Sequence, residues 1–437
     1  MQKFYNREKE SALLESVEKK AQQSAQMTFV VGRRRIGKTL LLTTVFSASK
    51  ALYFFIERKN ESLLCEEFSA EIQDKLGVTL YGKLQTFKAV FGYLMDLSQT
   101  MHFTLIIDEF QEFNTISPAI YSEMQNVWDQ QKSNSKLNLI LCGSIYSLMH
   151  KIFEDSKEPL FGRATAKLHV RAFDIPTLKE ILSDHYPAYS NEDLLAFYLF
   201  TGGVAKYIEL LVSADAFTKE KIIDTIFSEN SLFLTEGRNV LIDEFGKDYT
   251  NYFSVLMLIA SSKTSRTEME SILQMNLGGF LDRLENDFGL ISKVRPILAK
   301  PSGRIVKYRI NDNFLGFWFR FIFKYRGAVE IGNFPYLKSL VERDYPTYSG
   351  LILERYFRDK LSAEENLSLI GSYWERANKN EIDIVALNEY EKTAIIAEVK
   401  RNGNKINLDH LQQKSANLLR QLNGYRVEYR GLSLDDM

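Results

Sequence analysis

Short, almost wholly apolar segments recur along residues 1–175 and alternate with amphipathic stretches. The segments read MTFVVG, ALYFFIE, FTLIIDEF and LNLILCGS. Segments of this length that are apolar on both faces are typical of strands buried in a parallel sheet, whereas the stretches between them are helix-like. The alternation predicts an α/β layer fold for this part of the chain.

Beyond residue 175 the pattern becomes mostly helical. A stretch rich in Leu, Ile, Phe and Tyr comes first, then helices followed by a strand pair, and finally an aromatic helix that leads into strands near residues 371–400. Each change of pattern marks a predicted domain boundary. The four predicted segments are 1–175, 176–245, 246–312 and 313–437.

Composition and charge narrow the class of protein. The 437 residues carry 55 Lys and Arg against 56 Asp and Glu, a balance that excludes a globally basic nucleic-acid coat but permits a local basic patch. Two cysteines cannot build a disulfide framework, so a cytoplasmic protein with reduced thiols is expected. The charged amino terminus predicts no signal peptide. The most apolar window, FLGFWFRFIF, is short and contains Arg320, so no membrane-spanning helix is expected.

Residues 32–39 read GRRRIGKT, which fits the phosphate-loop pattern G-x-x-x-x-G-K-[ST]. Gly32 and Gly37 permit the backbone to turn amide groups toward phosphates. Lys38 supplies a cation for the β and γ phosphates, and Thr39 supplies a hydroxyl for Mg²⁺. An apolar strand precedes the loop and a helix-like stretch follows it, which is the context that this motif requires.

The segment FTLIIDEF supplies the partner of this loop. Asp108 ends a predicted strand and would hold Mg²⁺, and Glu109 would polarise the attacking water. Both carboxylates would lie beyond the carboxyl ends of parallel strands, where such sheets bind ligands. The extra strand ALYFFIE between the loop and Asp108 favours the NTPases that use a catalytic glutamate. Because no Asn-Lys-x-Asp tetrad for guanine is found, ATP with Mg²⁺ is the expected cofactor pair.

Several polar residues near the loop have two interpretations each. Ser144, after the segment LNLILCG, either senses the γ phosphate or caps the next helix. Arg163, in PLFGRAT, either stabilises transition-state charge, in its own or another copy's site, or pairs with a surface carboxylate. The basic run in the loop contacts nucleotide or nucleic acid, or forms a solvated cluster. The predicted nucleotide-binding residues are Gly32, Arg33, Arg34, Arg35, Ile36, Gly37, Lys38, Thr39, Leu40, Asp108 and Ser144.

These motifs together resemble a known family. GRRRIGKT, LIIDEFQEF, LCGS, LFGRAT and TGGVAKY stand in the order found in the archaeal-type P-loop ATPases, in the AAA-like branch of the signal-transduction ATPases with numerous domains. FYNREKE resembles the opening of that family, and YRINDNFLGFWFRFIF resembles the start of its nuclease-like carboxyl-terminal domain. The resemblance implies a helical lid and a winged helix in the middle of the chain. Ala205 departs from the proline expected after Gly202 and Gly203.

The winged-helix interpretation also fits the residues themselves. Three short amphipathic segments precede the strands KVRPIL and IVKYRI, which are joined by a turn at Pro301-Ser302-Gly303. The third segment carries Asp282, Glu285 and Asp287 against Arg283. A helix that enters DNA should be basic, so a role as a hinge or as a protein-binding surface is favoured over DNA reading.

The tail carries a second group of charged residues. Glu398 and Lys400 lie on one face of a predicted strand, Asp383 lies on an earlier strand, and Glu354 lies in an upstream helix. This order resembles the core of PD-(D/E)xK nucleases. The resemblance implies that Asp383 and Glu398 hold Mg²⁺, that Lys400 acts on a water and that Glu354 completes the metal shell. The alternative is a cross-strand charge pair without chemistry.

The predicted fold is therefore α/β: a P-loop NTPase parallel sheet with a helical lid, a winged helix and a carboxyl-terminal α/β restriction-nuclease-like domain. The predicted metal ligands are Thr39, Asp108, Asp383 and Glu398, and the predicted catalytic residues are Glu109, Arg163, Glu354 and Lys400. The predicted activity is ATP hydrolysis coupled to nuclease action on DNA or RNA. The alternative is an ATP-driven protein-interaction switch with an inactive tail. A homo-oligomer is among the expected partners, and a membrane is not.

Overall fold

The apolar segments of the amino-terminal part form strands of one sheet in the computed structural model, which describes residues 3–246, 249–300, 303, 305–376 and 379–437. The chain divides into two compact units, Met1–Ala172 and Phe173–Met437. The strands of the first unit are β1 (Gln26–Val31), β2 (Ala51–Phe55), β3 (Phe103–Asp108), β4 (Leu137–Gly143) and β5 (Ala166–His169).

This sheet is parallel throughout and has the strand order β2-β3-β4-β1-β5. Val31 at the end of β1 pairs with Gly143 at the end of β4, and Asp108 ends the neighbouring β3. The segments that follow these three strands therefore emerge at one edge of the sheet. The α/β prediction is confirmed for this unit. Strand β5 was not predicted, because this edge strand buries only Leu168 and has no apolar run.

Helices cover this sheet and supply much of its core. Their bounds are α1 (Glu8–Ala21), α2 (Lys38–Val45), α3 (Glu61–Leu76), α4 (Phe87–Leu97), α5 (Phe113–Ile116), α6 (Ala119–Gln131) and α7 (Tyr146–Glu154). Polar caps begin two of them, because the Asn60 side chain accepts from Ser62 N and the Thr86 side chain accepts from Ala89 N. The ring of Phe68 on α3 stacks on Phe54 of β2 at 4.1 Å, which fixes that helix against the strand.

The second unit opens with five helices: α8 (Ile175–His185), α9 (Asn191–Thr201), α10 (Ala205–Ser213), α11 (Lys219–Ile226) and α12 (Phe233–Phe245). Helix α9 begins with a capping box between Ser190 and Asp193 and is buried on every side from Leu194 to Thr201. It ends at Gly202, whose positive φ of 57° is the left-handed conformation that glycine accepts most readily.

Three further helical segments and a strand pair follow. Their bounds are α13 (Tyr249–Ala260), α14 (Arg266–Leu273), α15 (Gly278–Asp282), a π-helical turn (Arg283–Asp287), β6 (Ile291–Val294) and β7 (Lys307–Ile310). The strands are antiparallel. Strand β6 ends before the predicted KVRPIL strand does, because Pro296 has no N–H to donate and Ile297 N bonds instead to Ser372 O at 2.8 Å. Of the predicted turn, Pro301 and Ser302 lie outside the described residues.

The tail has a long helix and a four-stranded mixed sheet. The bounds are α16 (Asn313–Phe317), α17 (Arg326–Glu330), α18 (Phe334–Glu364), β8 (Leu369–Tyr373), β9 (Ile382–Asn388), β10 (Thr393–Val399), α19 (Leu408–Leu419) and β11 (Arg426–Leu432). The sheet order is β11-β10-β9-β8, with β8, β9 and β10 antiparallel and β11 parallel to β10. Among the helices within the described ranges, none is both long and apolar enough to cross a membrane.

Candidate functional site

The loop between β1 and α2 folds around its own lysine. Lys38 is only 7% exposed, and its Nζ donates to the carbonyl oxygens of Gly32 at 2.7 Å and Arg33 at 3.0 Å. A Cβ atom on Gly32 would lie 2.7 Å from the carbonyl oxygen of Val170, so this position requires glycine. Gly37 takes a φ of 93° immediately before α2. The loop therefore encloses the Lys38 ammonium group, and its backbone has the shape of a phosphate-binding loop.

Arg7 supports this loop from behind. Its guanidinium is buried and donates to the carbonyl oxygen of Ile36 at 3.3 Å and to that of Arg171 at 2.8 Å, while Glu10 lies 3.0 Å away. The segment FYNREKE, which contains Arg7, indicated only a resemblance to a family. Contacts over such sequence distances leave no local pattern, so the role of Arg7 as a loop support could not be predicted.

Asp108 receives hydrogen bonds on both oxygens at the end of β3. Its Oδ2 accepts from Thr39 Oγ1 at 3.0 Å and from the hydroxyl of Tyr53, and its Oδ1 accepts from Glu109 N at 2.9 Å. Burial, and then the hydrogen bond to Asp108, raise the pKa of Tyr53 well above its ordinary value, so the phenol stays a neutral donor. Tyr53 was not predicted from the sequence. The available signal was its hydroxyl in the apolar strand β2, next to β3.

Glu109 follows Asp108 but faces other partners. It has a φ of 53°, in the left-handed region that non-glycine residues rarely adopt. Its Oε2 accepts from Ser144 Oγ at 2.7 Å and from Gln111 Nε2, and Ser144 Oγ accepts from Arg34 Nε at 3.4 Å. Helix α7 has no side-chain cap, so Ser144 serves Glu109 rather than that helix. Gln111 was not predicted and holds the same carboxylate oxygen.

Arg163 does not lie beside the loop. Its Nε and Nη2 donate to Asp129 Oδ2 at 3.0 and 2.8 Å. Thr165, two residues later, pairs with Met27 near the start of β1, whereas the phosphate loop follows the end of that strand. Arg163 therefore lies near the start of β1, away from its own loop, and its pair with Asp129 is the surface ion pair that was one of its two interpretations. The sequence could not give its side of the sheet, because β5 was not predicted.

The donors near the loop suit a nucleotide with a divalent cation. A hydroxyl (Thr39) and a carboxylate (Asp108) lie 3.0 Å apart, and oxygen ligands of these types are those that Mg²⁺ prefers. The enclosed Lys38 and the required glycine at position 32 provide the cation and the close backbone approach that a triphosphate needs. The structure thus brings together the predicted Lys38, Thr39, Asp108, Glu109 and Ser144.

The charged residues of the tail also converge. Lys400 Nζ lies 3.5 Å from Asp383 Oδ2 and 3.3 Å from Glu398 Oε1, and Asp383 Oδ2 accepts from Val399 N at 2.8 Å. Lys414 of α19 reaches the same oxygen of Glu398 at 3.4 Å. We call Glu354, Asp383, Glu398 and Lys400 the tail cluster. Lys414 was not among the residues predicted from the sequence.

Burial governs the charges of the tail cluster. It raises the pKa of Glu354 to about 8, with the charge of Asp383 as the next cause, and it raises the pKa of Asp383 as well. Burial alone would also raise the pKa of Glu398, but Lys400 and Lys414 together lower it below its ordinary value. Two buried carboxyl groups thus resist losing both protons unless a cation joins them. Across the described residues, no group of three or more His, Cys, Asp and Glu side chains is arranged to hold a metal ion.

Comparison with known proteins supports a nucleotide site at the loop between β1 and α2. Residues 4–211 match the family described as an ATPase domain predominantly from Archaea, and residues 318–414 match a family of archaeal and bacterial proteins of unknown function. A similar curated protein, the uncharacterized protein MJECL04 of Methanocaldococcus jannaschii, is 29% identical over 410 residues, which cover 91% of this chain and 87% of that protein.

Two solved structures are also similar. The Walker-type ATPase paby2304 of Pyrococcus abyssi has a TM-score of 0.55 at 19% identity and covers 72% of this chain and 96% of its own, which supports the fold. The Aeropyrum pernix ORC2 protein has a TM-score of 0.49 at 12% identity, with 75% of this chain and 96% of its own covered. Residues 4–211 are thus similar to the archaeal-type ATPase domain, and this match, taken with the geometry of the loop, supports a P-loop ATPase.

Proposed function

We propose that this protein binds and hydrolyses ATP and couples its nucleotide state to a nucleic-acid-processing tail. At the loop, Lys38 would bind the terminal phosphates, and Thr39 and Asp108 would hold Mg²⁺, which neutralises phosphate charge when bound. Glu109 would orient and polarise the attacking water. Ser144 and Gln111 hold Glu109 on one side, which fits a carboxylate that must be kept in a set position.

One observation carries the proposal for the tail: side chains from helix α18, strand β9 and strand β10 meet in the tail cluster, with Lys400 within 3.5 Å of two carboxylates. Asp383 and Glu398 would hold a divalent cation together with Glu354, and Lys400 would act on a water. The raised pKa values of Glu354 and Asp383 support a cation here, because a metal ion would relieve the repulsion between two buried carboxylates.

A direct contact supports coupling between the two matched regions. Arg401, next to Lys400, pairs with Glu192 of α9 and donates to Ser349 Oγ at 2.7 Å. Glu192 lies within the ATPase match and Arg401 lies within the tail match. A movement of α9 with nucleotide state would therefore pull on the strand end that holds Lys400.

The alternative is an ATP-driven protein-interaction switch with an inactive tail. Two observations favour it. Lys400 and Lys414 already neutralise Glu398, and the described part of the chain has no ready group of three metal-ligating side chains. The winged-helix-like segment with its acidic third helix would then bind a protein partner. In both versions we propose a cytoplasmic location and self-association as a homo-oligomer.

Calorimetry of Mn²⁺ binding to the full chain without nucleotide tests the tail. We expect wild type to bind one Mn²⁺ that Asp383→Ala and Glu398→Ala each lose. Lys400→Ala should still bind, since a lysine is no metal ligand here. Glu375→Ala, which removes a tail carboxylate held by Asn417, is the matched control and should bind as wild type does. Absent binding by wild type, or equal binding by Asp383→Ala, would favour the inactive tail.

A further inference from the structure

Among the residues that the structure describes, Arg309, near Arg358 of α18, forms no ion pair. Arg309 lies on β7 opposite Ser292 of β6 and is partly buried. Its Nε is shielded from solvent and has no hydrogen-bond partner among the residues that the structure describes. Its neighbour Arg355, by contrast, donates to the carbonyl oxygens of Ile310 at 2.6 Å and Asn311 at 3.0 Å.

The surroundings of Arg309 are cationic. Arg355 and Arg358 both lie on α18, one turn apart, and Arg355 donates to Ile310 at the end of β7. Burial, followed by the charges of Arg355 and Arg358, lowers the pKa of Arg309 to about 9. The charge of Asp359 partly opposes this lowering of the pKa, but that carboxylate already accepts from the Tyr198 hydroxyl at 2.6 Å. Burying this charged guanidinium therefore costs folding free energy, and no ion pair with a described residue offsets that cost.

This arginine cluster continues into the tail cluster. Arg358 Nη1 lies 3.3 Å from Ser372 Oγ, which donates to the carbonyl oxygen of Asp383 at 2.9 Å. Arg358 Nη2 lies 3.5 Å from Glu354 Oε2. Cations next to carboxylates are the arrangement that a polyanion would need, because the carboxylates alone would repel it.

We propose that Arg309 and Arg358 form a phosphate-binding subsite beside Glu354, and that its ligand is a backbone phosphate of a nucleic acid bound at the tail cluster. The planar guanidinium fork suits two phosphate oxygens at once. Through Arg309, strand β7, which precedes the tail, would contribute to the tail site. The inference rests on the proposed nucleic-acid function, but the phosphate chemistry itself could also be met by a free phosphate ion.

Fluorescence anisotropy of labelled single-stranded DNA and RNA tests the subsite on the full chain, with Ca²⁺ in place of Mg²⁺ to slow cleavage. We expect Arg309→Met to weaken binding by about tenfold and to reduce the slope of log K against log salt by about 0.7. Arg309→Lys should recover part of the affinity. Arg343→Met, which removes an exposed charge from the same helix as Arg358, should bind within about twofold of wild type.

Thermal unfolding gives a second test, because an anion-binding arginine and a structural arginine predict opposite changes in unfolding temperature. If Arg309 serves to bind an anion, Arg309→Met should unfold at the same temperature as wild type or at a higher one. If Arg309 instead stabilises the fold, Arg309→Met should unfold at a lower temperature. Inorganic phosphate should raise the unfolding temperature of wild type more than that of Arg309→Met.

The outcomes separate the two proposals. Equal affinities of wild type and Arg309→Met for an oligonucleotide would overturn the subsite and leave nucleic-acid binding intact. No oligonucleotide binding by wild type, with an Arg309-dependent phosphate effect, would support a phosphate subsite and overturn its nucleic-acid source. No Arg309-dependent effect in either assay would overturn the inference.

Discussion

Glu109 and Asp108 are adjacent in sequence, yet the left-handed backbone at Glu109 turns their carboxylates to different partners. Asp108 faces Thr39 and Tyr53, and Glu109 faces Ser144 and Gln111. This division fits a metal-binding role for Asp108 and a water-polarising role for Glu109. It also means that each can be altered without removing the other's contacts.

Glu109→Gln should bind ATP as wild type does and hydrolyse it at least about 100-fold more slowly, because a positioned general base contributes roughly 10²–10⁴-fold. Phosphate release under saturating ATP measures the rate, and fluorescent-nucleotide titration measures binding. Glu66→Gln, at an exposed carboxylate paired with Lys83, is the control and should keep the wild-type rate. Wild-type turnover in Glu109→Gln would remove the general base from this residue.

Arg163→Ala should leave kcat within about twofold of wild type, because its ion pair lies at the far edge of the sheet from the loop. Exposed pairs of this kind are worth about 0–1 kcal/mol of unfolding free energy, and Asp129→Ala should show a similar small loss in chemical denaturation. A loss approaching 10³-fold in kcat would match arginine-finger magnitudes. That result would mean that Arg163 acts on a phosphate held by another copy.

Glu354 should make unfolding free energy depend on pH. Its pKa is about 8 in the folded chain and about 4.3 when unfolded, so folding takes up a proton between these values. The contribution of this group to unfolding free energy therefore falls as pH rises from about 4.3 to about 8. We expect the unfolding temperature of wild type to drop relative to Glu354→Gln across this range, and Mn²⁺ to restore it in wild type only. Parallel curves for the two proteins would contradict this.

The sequence was informative about residues whose chemistry has a fixed local spacing. Lys38, Thr39 and Asp108 follow motifs and the structure brings them together. Arg7, Gln111 and Arg358 act through contacts across long sequence separations or through turn geometry, and neither leaves a local pattern. The two interpretations of Arg163 stayed open because its position depends on β5, a strand that has no apolar run.

At the scale of elements, the join between α9 and α10 depends on two glycines with different constraints. Both have positive φ, 57° at Gly202 and 76° at Gly203. A Cβ on Gly202 would meet atoms at 3.5 Å, but a Cβ on Gly203 would lie 2.2 Å from the carbonyl oxygen of Phe173. Gly203 also accepts a hydrogen bond from Phe173 N at 2.8 Å.

Gly202→Ala should therefore cost about 1–2 kcal/mol of unfolding free energy from backbone strain alone. Gly203→Ala should cost about 3 kcal/mol or more, because steric overlap with backbone adds to the strain. Chemical denaturation of the two matched variants measures the difference. Equal losses would mean that the Phe173 segment moves aside at little cost.

The elements themselves were predictable where burial imposes a strong pattern. Strands β1 to β4 are apolar on both faces, so the sequence located them. Strand β6 ended early because Pro296 removes a donor and because Ile297 pairs with Ser372 of the tail. The end of β6 therefore depends on a partner that is distant in sequence, and the periodicity of the sequence does not reveal such a partner.

At the scale of the whole molecule, the two predicted metal sites lie in different compact units and share no ligand. Lys38→Ala should abolish tight ATP binding but leave Mn²⁺ binding at the tail intact, and Asp383→Ala should do the reverse. Nucleotide titration and Mn²⁺ calorimetry on the same two variants measure this. Loss of both functions in either variant would contradict independent sites.

Cleavage of labelled DNA and RNA by the full chain, with Mg²⁺ or Mn²⁺ and with or without ATP, tests the central claim most directly. We expect cleavage by wild type that depends on ATP and disappears in Lys400→Ala, because in the proposed mechanism this lysine would act on the water. Lys405→Ala, which removes a nearby lysine outside the tail cluster, should still cut. No cleavage by wild type under any condition, or equal cleavage by Lys400→Ala, would contradict an ATP-coupled nucleic-acid-processing tail.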